Sequence, residues 1–194
     1  MGTLYVQSGR PREAEAAFAA ALSIVREVGN RRGEGIVLGN LASVYQETGR
    51  REQAERTIEQ ALAILGDVGN RLGEGHALTG LAIVYGQTGR MEQAERACEQ
   101  ALAILGEVGD RRSEGSALGC LAIVYKLTGR TELAERMHGQ ALAIAREVGD
   151  RRGEGVVLAN LALVYQETGR VEQAERANEQ ALAILREVGD RRSE

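Results

Sequence analysis

Written in rows of 40, this chain of 194 residues aligns with itself without a gap. Tyr5, Tyr45, Tyr85, Tyr125 and Tyr165 share one column, and Gly9, Gly49, Gly89, Gly129 and Gly169 share a second. Ala14, Ala54, Ala94, Ala134 and Ala174 share a third. Residues 31–70 and 151–190 are identical at 31 of 40 positions. A period of this length is the signature of a repeat architecture, in which one copy cannot bury its apolar face alone and must stack on the next. Full units run over 31–70, 71–110, 111–150 and 151–190, with a partial unit at 1–30 and the start of a further helix at 191–194. The expected domain organisation is one array over residues 1–194.

Each unit reads as two helices. From Arg31 to Glu47 the apolar residues Val37, Leu38, Leu41, Ala42, Val44 and Tyr45 recur at spacings of three and four, which places them on one helical face. Thr48-Gly49-Arg50 ends this stretch, with glycine at the left-handed position after a helix. From Arg51 to Val68 a second face carries Ala54, Ile58, Ala61, Leu62, Ile64, Leu65 and Val68. Gly69 ends it, and Asn70, or Asp110, Asp150 and Asp190 in later units, suits the N-cap of the next helix. Pro11 falls at the first position of a helix, where its missing N–H costs nothing. Two- and three-residue connections make neighbours antiparallel. The expected fold is all-α: a right-handed α-solenoid of stacked antiparallel helix hairpins.

The sequence Leu38-x-x-Leu41-Ala42-x-x-Tyr45, followed by Gly49, Ala54, Ile58 and Ala61, resembles the tetratricopeptide repeat (TPR) signature. The 40-residue period and the string Glu147–Gly155 are similar to the longer-helix variant of Pins-like scaffolds with Leu-Gly-Asn repeats, and of bacterial signalling arrays. The resemblance implies a protein-interaction scaffold whose first helices line a concave groove. The chain begins and stops in mid-unit, with residues 1–7 as half a helix and residues 191–194 opening another. The expectation is therefore an excised piece of a longer array, natural or designed by consensus. Ends without polar caps also make a homo-oligomer, stacked end to end, an alternative to a groove-binding adaptor, and a regulatory sensor fragment of a larger signalling protein is the other.

The groove columns are among the most variable, whereas those of Leu41, Ala42, Val44 and Tyr45 do not change between full units. They place Asn40, Ser43, His76, Thr79, Ile83, Cys120, Ile123, Lys126, Asn160 and Leu163 in the candidate peptide groove. Ile83, Ile123 and Leu163 form an aliphatic row, either an interaction surface or side chains half-buried between first helices. Asn40 and Asn160 each offer a donor and an acceptor to a peptide backbone. Pins-like scaffolds usually place Asn where this chain has Ser43, Ile83, Ile123 and Leu163, and often Arg where it has Ile36, His76, Ser116 and Val156. That departure argues against acidic peptide ligands. Lys126, the one cation in these columns, cannot supply the paired guanidinium forks that favour carboxylates.

Other chemistries find little support. The net charge of −4 lacks a basic footprint for nucleic acid, and with one Phe and no Trp there is no platform for stacked bases. Arg31/Arg32, Arg111/Arg112 and Arg151/Arg152 form a ladder flanked by Glu34, Glu114 and Glu154, which reads as locally paired and solvated. The glycines of Gly149–Gly155 follow no strand and precede no GK[ST], so they read as a turn rather than a phosphate loop. Apolar runs of at most seven residues fall far short of the ~20 needed to span a membrane, and no signal peptide is legible. These features point to the cytoplasm. Cys98 and Cys120 are expected near each other as buried thiols, with a disulfide or redox switch as the alternative. His76 and His138 lie in different columns with no supporting cluster, so no metal, cofactor or catalytic pair is expected. His138 shares its column with Phe18, Ile58, Cys98 and Asn178, and that drift toward polar residues suggests partial exposure.

Overall fold

The computed structural model describes residues 10–190. Among the described residues there are nine helices and no strand. They are α1 (Pro11–Glu27), α2 (Arg31–Glu47), α3 (Arg51–Asp67), α4 (Arg71–Gln87), α5 (Met91–Val108), α6 (Arg111–Leu127), α7 (Thr131–Glu147), α8 (Arg151–Glu167) and α9 (Val171–Asp190). The expected half-helix at 1–7 and the opening helix at 191–194 lie outside the described residues. The chain forms two compact units, residues 1–108 and 109–194. In the first, α2 pairs with α3 and α4 with α5, α1 packs on α2, and α4 packs on both α3 and α2. In the second, α6 pairs with α7 and α8 with α9, and α8 packs on both α7 and α6. Each unit is thus an all-α stack of helix hairpins, an α-solenoid of the expected kind.

The turns explain the sharp helix ends. Eight glycines, from Gly29 to Gly169 at intervals of 20, have φ between 64° and 78°, a region closed to most side chains. After Gly49 the Arg50 N–H reaches back to the Tyr45 carbonyl at 2.8 Å, and the Gly49 N–H to that of Gln46 at 3.0 Å. These two bonds satisfy the last carbonyls of α2. The Asn30, Asn70, Asp110 and Asp150 side chains then accept from the backbone N–H three residues on, capping α2, α4, α6 and α8. α9 runs from Val171 through Gly189 to Asp190, and the expected cap of Asp190 on residues 191–194 lies outside the described residues. Val68, expected on the apolar face, sits at a C-cap and is 40% exposed.

A second set of turns carries a tie between hairpins. The Arg50 guanidinium donates to both Glu15 oxygens at 2.9 and 2.6 Å and to Thr48 Oγ1 at 2.9 Å, and lies 4.4 Å from the centre of the Tyr45 ring. Arg90 does the same with Glu55, Thr88 and Tyr85, and Arg170 with Glu135, Thr168 and Tyr165. Planar, two-pronged guanidinium–carboxylate pairing fixes direction as well as distance. Each tie joins the second helix of one repeat to the inter-helix turn of the next.

Inside a hairpin, close approach depends on glycine. A Cβ on Gly35, Gly75 or Gly155 would lie within 2.7–2.8 Å of Leu65, Leu105 or Leu185. At Gly39, Gly66 and Gly119, by contrast, a Cβ would meet nothing within 4 Å. All six are helical, where glycine costs about 0.5–1 kcal/mol against alanine. We therefore expect Gly39→Ala, Gly66→Ala and Gly119→Ala each to raise unfolding free energy by about that amount. Gly35→Ala and Gly75→Ala should lower it through overpacking. Urea titrations of the five variants check both signs.

Candidate functional site

The candidate residues fall on first helices, five in each compact unit. In the first, Asn40 and Ser43 lie on α2 and His76, Thr79 and Ile83 on α4. α2 and α4 are bridged by Gln46, whose Nε2 donates to the Gly80 carbonyl at 2.7 Å. Beside this bridge a pocket of about 140 Å³ opens between the two helices. Asn40, Ser43, Gln46 and His76 contribute its polar lining, Ile36 and Ala77 its apolar walls, and Ile58 and Leu65 of α3 also face it. Four glycines, Gly35, Gly39, Gly73 and Gly80, also line it.

Of the candidate residues here, Asn40 is half-buried and its carboxamide has no hydrogen-bond partner among the described residues. Ser43 Oγ turns back to the Gly39 carbonyl at 3.3 Å and Thr79 Oγ1 to that of Gly75 at 2.9 Å, so both hydroxyls are engaged by their own helices. His76 is exposed, and Ile83 is 39% exposed one turn beyond Gly80. Thr79 and Ile83 do not line the pocket. Ile58 and Leu65, expected only in the core, do reach it. The signal for this was present: paired glycines at 39 and 80 on facing helices uncover the helix behind them.

In the second unit, Cys120, Ile123 and Lys126 lie on α6 and Asn160 and Leu163 on α8. Ile123 and Leu163 are 43% and 45% exposed, while Cys120 and Asn160 are half-buried. Lys126, in the column of Gln46, also bridges first helices: its Nζ lies 3.3 Å from Glu167 Oε1 on α8. A chain carboxylate therefore already occupies this cation. The arginine ladder is paired in the same local manner. Arg31 and Arg26 hold Glu34, and Arg151 and Arg146 hold Glu154, each glutamate only 6% exposed. The Arg26 guanidinium first, and Arg31 after it, keeps the Glu34 carboxyl below its ordinary pKa. Arg111 is shared between Glu114 and Glu147.

His138 on α7 corrects the expectation of partial exposure: it is fully buried, and neither ring nitrogen has a hydrogen-bond partner among the described residues. α8 packs over α7 here, as α4 packs over α3 at Ile58. Ile58 and Cys98 are buried too, whereas Asn178 on α9 is exposed. Cys98 is thus a buried thiol, as expected. No group of three or more His, Cys, Asp or Glu able to hold a metal occurs among the described residues. Nor is any described helix long and apolar enough to cross a membrane.

The tetratricopeptide repeat family model matches residues 1–67, 36–107, 73–147 and 113–187. The chain belongs to the tetratricopeptide repeat family. No curated protein matches this TPR chain. Among solved structures it is similar to BtubC (BKLC) from P. vanneervenii, with a TM-score of 0.79 and 24% identity over 97% of this chain and 78% of that one. It is also similar to a putative kinesin light chain of nearly identical TPR-like repeats from Podosopora anserina (TM-score 0.68, 22% identity, 96% and 92% covered). A Rap protein complexed with competence and sporulation factor superposes with a TM-score of 0.90 at 17% identity, over 97% of this chain and 53% of that one. This TPR chain thus spans about half the length of the Rap protein. At these identities the likeness is one of fold.

Burial pushes the His138 pKa from its ordinary 6.5 down to about 4, with the Lys126 charge adding to the effect. The folded protein therefore holds fewer protons than the unfolded chain between these values. Stability should be complete above pH 6.5 and decline as pH falls toward 4. His138→Ile restores the residue type of Ile58. It should add about 1–2 kcal/mol at pH 7 by removing an unpartnered polar ring, and should flatten this acid dependence. Denaturant titrations at pH 7.5, 6 and 5 check it.

Proposed function

We propose that this TPR chain is a non-enzymatic protein-interaction scaffold that binds an extended peptide or a helix along its first helices. The observation that carries this reading is the open seam between α2 and α4, where a pocket with polar and apolar walls is also lined by glycines. Around it the first-helix face combines solvent-facing aliphatics with a carboxamide free to bond a peptide backbone. Two structures of the same fold support the ligand class: the Rap protein complexed with competence and sporulation factor, and the Rap conjugation regulator of plasmid pLS20 in complex with the Phr* peptide. Ile83, Ile123 and Leu163 supply contact area, and Asn40 and Asn160 supply hydrogen bonds. The absence of an unpaired cation among these residues favours neutral over acidic segments, since Lys126 is held by Glu167.

A peptide-display selection on the wild-type chain should enrich a convergent motif. The variant Ile83→Glu/Ile123→Glu/Leu163→Glu should lose it while retaining the wild-type helical signal and melting profile. Undiminished binding by the folded variant would show the groove reading to be wrong.

Self-association is a second reading, favoured by Leu182 on α9. It is 54% exposed, whereas Leu62, Leu102 and Leu142 in the same column are half-buried. A second copy stacking on this face would cover it without closing a ring. Light scattering across a concentration series should then show mass rising with concentration and falling back with Leu182→Glu; a constant monomer mass removes this reading.

A further inference from the structure

We infer that the pocket between α2 and α4 takes one neutral side chain of phenyl or branched-aliphatic size, presented by an extended peptide, and that Gly39 sets this specificity. The inference rests on the groove reading above and narrows it to a ligand class.

Size is the first argument. The pocket measures about 140 Å³, and an apolar cavity of about 150 Å³ is known to accept benzene. A single ring or a leucine-like group fills such a space, whereas an indole overfills it. Chemistry is the second. Ile58, Leu65 and Ala77 give the pocket an apolar lining, and no Asp, Glu, Lys or Arg lines it. A charged anchor would lose its hydration there without a counter-charge. Placement of the polar groups is the third. Gln46 has its Nε2 committed to Gly80, which holds the two helices at a fixed separation. The Asn40 carboxamide has no hydrogen-bond partner among the described residues and offers both a donor and an acceptor. That pair matches the N–H and C=O of one residue of an extended backbone, and the apolar surface continues past the pocket to Ile83. The occupant that satisfies all three is a peptide, not an isolated apolar molecule.

Gly39 is the gate. Gly39 lines the pocket and a Cβ built on it meets nothing within 4 Å, so a larger side chain at this position has open space to extend over the pocket. The column tolerates side chains, since it holds Thr79, Gly119 and Ala159 in the other full units. Gly39→Leu should therefore fold and plug the pocket with the kind of group proposed to enter it.

The test uses the whole chain and two probes. Random peptides of twelve residues displayed on phage are selected on wild type and counter-selected on Gly39→Leu. In parallel, toluene is titrated into methyl-labelled protein. The expected result is a motif with Phe, Leu, Ile or Met at one fixed position and a loss of about tenfold or more in affinity on Gly39→Leu. Toluene should shift the methyl signals of Ile58 and Leu65 in wild type and not in the folded variant. A motif that binds both proteins equally overturns the pocket assignment and leaves the groove reading standing. A motif anchored on a charged residue also overturns it. If toluene enters but no peptide is enriched, the peptide is wrong as occupant and the groove reading falls with it.

Discussion

A TPR hairpin cannot cover its own second helix, and every other feature of this chain follows from that constraint. The column of Ile58, Cys98, His138 and Asn178 shows it directly. Ile58 and His138 are buried under the first helix that follows in their own unit, and Asn178, with no described helix to follow it, is exposed. Burial here is supplied by the next repeat and not by the residue itself. That is why even an unpartnered imidazole can be enclosed: once α8 packs over α7, the site is dry whichever side chain stands there.

Stacking alone leaves the angle between repeats free, because apolar contact has no direction. The Arg50–Glu15, Arg90–Glu55 and Arg170–Glu135 ties provide the direction. Each guanidinium is oriented by four groups at once: two carboxylate oxygens, a threonine hydroxyl and a tyrosine face. These arginines stand just after the left-handed glycine, so the turn that ends one helix also aims the side chain that grips the preceding repeat. The half-exposed pairs add little stability singly. Their contribution is to orientation, repeated at every junction of this kind within the described units.

The pocket between α2 and α4 arises where this repeating scheme varies. The core columns of Leu41, Ala42, Val44 and Tyr45 are fixed, while the first-helix columns facing solvent vary from unit to unit. Between α2 and α4 that variation removes side chains at 39 and 80 and leaves a pocket. In the column of Gln46 it changes the bridge itself: a glutamine-to-carbonyl hydrogen bond in the first unit becomes a Lys126–Glu167 ion pair in the second. One scaffold thereby carries a neutral seam and a charged one.

Much of the fold was legible because its determinants are local. The apolar period, the glycine after each helix and the Asn or Asp before the next act within a few residues, and they placed α2 at its observed bounds and α3 within one residue. The family resemblance followed from the same residues, as did the first-helix face that carries Asn40, Ser43 and Ile83. What only the tertiary structure decided depends on which helices lie against each other. The burial of His138, the exposure of Val68 at a cap, the engagement of Thr79 by its own helix and the opening at Gly39 are of this kind. Polar drift in a column reads as exposure when only the residue is considered. Burial is a property of the packed neighbour, and the sequence of a single column carries no record of it.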